Sequence, residues 1–366
     1  MFFLLPEPGK GAPAGKRPWS RTEILGVALL IASMALLLFN PKAMGDFFDA
    51  AINKAMPIVV DVFLTGYVGF AIIASVMAGR ILERLGFTDA LLRVFMPIAA
   101  KMGMNPAVVV PGVYNIIGDI NAAGVIAGPV TKKSGCTVDE QKIAVATMAQ
   151  VQQSLATFIL GIMAVTAAGV RAFPVVLLAV FLPMVAVPFI LSRTVYRNVR
   201  GVPLSEIPRF TPKTPIMDTV FGSAMEGARL LFLFIIPAVG AVYAVIGGLE
   251  FLHIWQPVEQ GLGWLLGRLL IDPATGITSM FIAPTLAAAQ LLEGAANIAP
   301  ALVVGSFVLA SSGLPASVIT GQIPVIWAEH SDLTQSQALE AALLGTVMRV
   351  LSATAIAWLS VRIFMV

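Results

Sequence analysis

The sequence predicts an all-α polytopic membrane protein. It reads as two inverted-topology repeats with re-entrant or broken helical hairpins and amphipathic interfacial helices. Three observations carry that prediction. The 366 residues are 58% hydrophobic and 12% charged, with a mean hydropathy of +0.90, against about 25% charged in a soluble domain. The apolar residues fall in long continuous runs without the alternation of a membrane barrel, and helices satisfy their own backbone in lipid. A similar order of elements recurs on either side of one polar linker.

The stretch MFFLLPEPGKGAPAGKRPWSR is basic and rich in Pro and Gly, and residues 1–22 read as a disordered tail. Its charges precede a long apolar run with no small-residue cleavage site, unlike a signal peptide. Residues 23–57 hold a first span and a connector. Clear spans lie at about 23–39, 58–79, 140–165, 173–192, 228–248 and 337–361, each near the roughly 20 residues a bilayer requires. Segments 104–130 and 273–312 are apolar but interrupted by Gly, Pro and polar residues. A re-entrant or broken helix, screened from lipid by protein, is the physical way to hold such a stretch. Segment 315–330 is short and ends on Glu329 and His330.

The Pro-rich linker 199–217 separates a first repeat, 58–198, from a second, 218–366. The first half runs from span 58–79 through amphipathic 81–101, Asn105-Pro106, a broken segment with Asn115-Ile116, Ser134-Gly135 and two spans. The second runs from span 228–248 through amphipathic 251–271, Asp272-Pro273, a broken segment with Asn297-Ile298, Ser312-Gly313 and two spans. The opening spans run in opposite directions, as in inverted repeats. Basic residues gather in the tail and in 80–101, 131–142 and 193–213. Placing all four in the cytoplasm puts the N-terminus inside, in a bacterial-type inner (plasma) membrane.

Several classes drop out. A lone Cys136 gives neither an intrachain disulfide nor a thiolate cluster, and no metal site is expected. The chain has no Gly-Lys-Ser phosphate loop, and its net charge of +3 is no nucleic-acid footprint. With no nucleophile–base pair at a recognisable spacing, it is not expected to be an enzyme. No cofactor is expected beyond Na⁺ or H⁺ as a coupling ion.

Chemistry concentrates where lipid would reject it. YNIIGDINAAG (114–124) brings Asn115, Asn121 and Asp119 between apolar stretches, with Gly118 and Gly124 to let the chain bend. An Asp at the centre of a span costs about 2.5–3.5 kcal/mol on insertion scales, so Asp119 is expected to face protein or water and to couple an ion. Gln150 and Gln153 share a helical face with Thr157, and such amides either read a hydrogen-bonding ligand or join helices. In the second half Gln290, Glu293 and Asn297 follow helical spacing, with Gln322 beyond. Glu293 is the second ion-coupling candidate. Glu329 and His330 are a proton site or simply the wet end of a span.

VVVPGVYNIIGDINAAGVIAG with the Gln-rich span after it, echoed by ANIAPALVVG and SSGLPASVITGQIPVIWAE, resembles the Gate, or nucleoside-recognition, domain. That domain occurs in concentrative nucleoside transporters and in the membrane part of ferrous-iron transporters. The resemblance spans about residues 58–365 and implies helical hairpins around a midplane site. It carries Asn115, Gln150, Gln153, Glu293 and Asn297 over as site positions. The function expected is ion-coupled secondary transport of a small polar solute, nucleoside-like for preference, by alternating access. The partners are that solute and membrane lipid, with 81–101 and 251–271 available as interface helices of a homo-oligomer. The alternatives are a non-transporting scaffold or partner subunit and a protein that handles metal ions or lipid.

Overall fold

A computed structural model describes residues 19–116, 120–151, 154–202, 208–312 and 315–364, without the side chains of 120–122. Helix α1 (Arg21–Phe39) opens on a capping box in which Ser20 and Glu23 bond each other's backbone amides, and none of its residues is buried. An apolar helix with every side exposed belongs in lipid. Four helices are long and apolar enough to span a membrane, or up to seven if each bent pair counts as one span, and the chain is a multi-pass membrane protein.

The connector expected after the first span is a helix instead. Helix α2 (Pro41–Pro57) continues through a wide turn, Ile58–Leu64, to a break at Thr65-Gly66, and α3 (Tyr67–Arg84) resumes at 51°. Polar residues such as Lys54 hide this helix from a hydropathy reading. In the fold Lys54 pairs with Glu250 at 2.7 Å, and α2 lies against α12 (Ile236–Phe251). Helix α11 (Ile216–Leu230) runs through a wide turn into α12, so this span begins twelve residues before the expected 228.

Each half then continues from a surface helix into a folded-back pair of helices. In the first, surface helix α4 (Phe87–Lys101) leads to α5 (Val110–Ile116) and α6 (Ile120–Lys133). These two fold back on one another, tied at the base by Asn105 Nδ2 donating to Ser134 O at 2.8 Å. The span expected at 140–165 is broken: α7 (Val138–Gln150) and α8 (Leu155–Ala167) meet at 49°. Helices α9 (Ala172–Val176) and α10 (Pro183–Thr194) form the next span around a wide turn.

In the second half α13 (Trp255–Arg268) lies on the surface. Helix α14 (Pro273–Ile277), lengthened by the wide turn Thr278–Ile282, folds against α15 (Pro284–Gly294) through Ala283. The expected broken segment 273–312 is therefore two units, because this hairpin closes at Gly294. Helix α16 (Pro300–Ser311) is a separate buried helix packed between α8 and α18 (Gln335–Ile363). The turn Val318–Gln322 and α17 (Ile323–His330) follow it. Ser312 thus sits at the end of α16, while Ser134-Gly135 forms the turn after the first hairpin. They are not equivalent positions.

Four of the five wide turns have a proline two residues past their end: Pro183, Pro237, Pro284 and Pro324. Proline has no N–H to give the carbonyl four residues back, so the ladder slips by one. Such slips recur at functional sites.

The basic segments meet at one end of the molecule. Arg84 Nε donates to Thr214 O, Asp89 accepts from the Phe210 amide, and Thr137 Oγ1 donates to Asn198 O. At the other end Arg171 N bonds Phe364 O, and Thr354 Oγ1 donates to Leu269 O beside α13.

Candidate functional site

A cavity of about 760 Å³ opens between the α3–α11 pair and the hairpin elements, within the roughly 300–1,000 Å³ usual for small-molecule sites. Its deep wall is a set of hydroxyls. Ser154 caps α8 by accepting from the Thr157 amide. Thr157 Oγ1 lies 2.9 Å from Thr285 Oγ1, joining α8 to the first turn of α15. Ser75 of α3, Ser317 and Gln322 add to the polar lining, and Arg80, Glu83, Tyr114, Glu226 and Arg229 line the cavity as well. The break between α7 and α8 and the turn at Ala283 bring these groups together, because a half-helix can start at membrane depth only where protein or water satisfies its end.

A charged network closes one side. Tyr114 of α5 donates to Glu83 Oε1 at 3.1 Å, and Arg80 reaches Glu83 Oε2 at 2.9 Å. Arg80 also grips Glu226 of α11 through Nε at 3.0 Å and a terminal nitrogen at 2.6 Å. The first hairpin is thereby linked through α3 to α11. Glu83 is buried, and the two other partners make its burial affordable in enthalpy.

Of the residues expected at a site, Gln322 is the one that lines this cavity among the described residues. Asn115 is fully buried, its Nδ2 donating to Met148 O at 2.8 Å and Val151 O at 3.4 Å. Its Oδ1 is buried without a partner. Gln150 joins helices: its Nε2 donates to Gly345 O of α18 at 2.8 Å. Gln290 lies beside Tyr243, with its Oε1 buried and unpaired.

Glu293 and Asn297 are exposed. Glu293 is nine residues beyond Pro284, about 14 Å at 1.5 Å per residue, and so stands toward the base of the hairpin. There it accepts from Tyr67 OH at 3.4 Å. The face shared with Gln290 ends at Gly294, leaving Asn297 in a turn. Glu329 is exposed at the last turn of α17, and His330 packs its backbone on Gly128. Asp119 and Gln153 lie outside the described residues, as does the side chain of Asn121. No group of three or more His, Cys, Asp or Glu stands ready for a metal among the described residues.

The sequence reading missed Thr285, Ser75, Ser317, Arg80, Glu83, Glu226 and, at the centre of α18, Arg349. Charges three residues apart within apolar helices, as in Arg80/Glu83, were the available signal, and so was a lone arginine inside a span.

No protein-family model matches the chain. No curated protein matches it in sequence. In structure it is similar to CNTnw, a concentrative nucleoside transporter, in an inward-facing substrate-bound state. The two are 16% identical, with a TM-score of 0.58 over 94% of this chain and 87% of that one. A CNTnw variant in its intermediate 2 state matches at 14% identity and TM-score 0.55, over 95% and 89%. A doubly substituted variant in an outward-facing state matches at 16% and 0.52, over 93% and 86%. The chain has their fold.

Proposed function

We propose that this chain is a secondary transporter of a small polar solute, with nucleoside-like molecules the favoured class. The cavity walled by Ser154, Thr157 and Thr285 carries this reading: it is large enough for such a solute and offers donors and acceptors without an unscreened carboxylate. The likeness to a concentrative nucleoside transporter supports it. The two halves act as inverted repeats, since their surface helices and hairpin bases lie at opposite ends. Alternating access then moves the hairpins against the α3–α11 pair. An ion gradient drives the cycle through Asp119, which the sequence sets between α5 and α6. Glu293, exposed near the hairpin base, is the weaker candidate.

Ligand-induced melting shifts test this. Purified protein is screened against nucleosides, nucleobases, small organic ions and metal ions, alone and as Thr157→Val and Asp119→Asn. A nucleoside that raises the melting temperature of the wild type, and that Thr157→Val no longer binds, is the expected result. A screen without hits, with both variants folded, contradicts the reading and favours a scaffold.

A further inference from the structure

Arg349 stands at the centre of α18, a helix of 29 residues, and is 1% exposed. No carboxylate pairs with it among the described residues. Its guanidinium meets three oxygens. One terminal nitrogen donates to Gln150 O at 2.6 Å and to Ala179 O at 2.8 Å, and the other donates to Ser311 Oγ.

The origin of these oxygens is informative. Gln150 is the last residue of α7, whose terminal carbonyls have no helical partner. Ser311, whose hydroxyl is the third acceptor, is the last residue of α16, a helix that also ends among buried residues. Ala179 lies four residues before Pro183, which has no N–H to give it. Two carbonyls, one freed at the end of α7 and one by Pro183, and the Ser311 hydroxyl at the last residue of α16 therefore converge on one cation. Each helix end also carries partial negative charge, which favours a positive group there. Next to it, Asn115 Nδ2 takes Met148 O and Val151 O, so two more carbonyls at the end of α7 are occupied. In inverted-repeat transporters, unwound carbonyls and half-helix C-termini are where Na⁺ is held.

We propose that Arg349 is a built-in cation that occupies the meeting point of the interrupted helices in place of a metal ion, so that the protein holds its fold and its site without Na⁺. This rests on the transporter reading for its consequence, that the driving ion is not Na⁺. Arg349 is a positioning residue: it acts through α7, α16 and α18 and does not touch the cavity. The small cavity of about 40 Å³ beside it, lined by Ser279, Ser312 and Thr346, is large enough for a water to reach the unpaired Nε.

The test is melting temperature in NaCl, choline chloride and methylguanidinium chloride at equal ionic strength, for wild type, Arg349→Ala, Arg349→Met and Arg349→Lys. The wild type is expected to melt alike in NaCl and choline chloride. Arg349→Ala is expected to melt several degrees lower and to regain part of the loss, saturably, with methylguanidinium. Arg349→Met, which fills the space without charge, is expected to melt low and to regain nothing. Arg349→Lys keeps a charge and is expected to fall between wild type and alanine, which preserves the test should the alanine variant not fold. A wild type stabilised saturably by Na⁺ overturns the proposal, as does a methionine variant that melts like wild type. The salts involve no solute, so a failed solute screen leaves this result standing.

Discussion

Burial pushes the Cys136 thiol up to about 12, so at neutral pH it stays protonated. Folded protein at pH 7.5 is expected to resist maleimide labelling, and denatured protein to label fully. Fast labelling of the native state would contradict the packing around Cys136. Asp332, in the turn between α17 and α18, behaves oppositely. The Gln141 side chain bonds it and Lys132 faces it at 2.9 Å, which holds its carboxyl below the usual range. Its folded value lies under its unfolded one. The stabilisation is therefore complete above the ordinary carboxylate range and is lost as pH falls through the lowered value, below about pH 4. Asp332→Asn is expected to lower the melting temperature at pH 7 and to flatten its fall between pH 5 and 3. An unchanged acid limb would remove Asp332 from the account. At this scale the sequence was least readable. Spacing put Gln150 and Thr157 on one stripe, but Gln150 turns to α18 and Thr157 to α15. Helical periodicity cannot say which neighbour receives a polar group.

Element boundaries were more legible, because prolines and glycines act locally. Interruptions within 104–130 and 273–312 were expected from composition. The division of 273–312 was not, since Gly294 and Pro300, which flank the turn at 295–299, read in sequence like the Gly and Pro of a hairpin tip. Helix α2 was hidden because Lys42, Asp46, Asp49 and Lys54 lower its hydropathy, while it meets α12 through Gly247 and Gly248 and an ion pair. Close approach also governs α7 and α18: a Cβ at Gly345 would stand 2.6 Å from Ala146 O. Gly345→Leu is expected to destabilise the protein by about 1–3 kcal/mol or more through overpacking, measured by denaturation in detergent. It should also break the Gln150–Gly345 bond. A neutral effect would mean that the two helices do not press together. Tyr114→Phe, which removes one donor to Glu83, is expected to cost only about 1 kcal/mol, because Arg80 still holds that carboxylate.

Across the whole molecule, the start of α8, the hairpin turn at Ala283, the turn Val318–Gln322 and Tyr114 of the first hairpin line one cavity, faced by the pair α3 and α11. The apolar exterior and the all-helical class were readable from composition and pattern. The charged link from Tyr114 to Glu226 was not, because it joins residues more than one hundred positions apart. This link and the hydroxyl wall define what must move if the hairpins shift against α3 and α11. The most direct measurement of that movement is sidedness at the cavity. Ser317→Cys in a Cys136→Ala background, reconstituted in vesicles of one orientation, is labelled with a membrane-impermeant maleimide from either side. Alternating access predicts labelling from both sides, with added solute changing the two rates in opposite directions. Labelling from one side only, whatever solute is present, would contradict it.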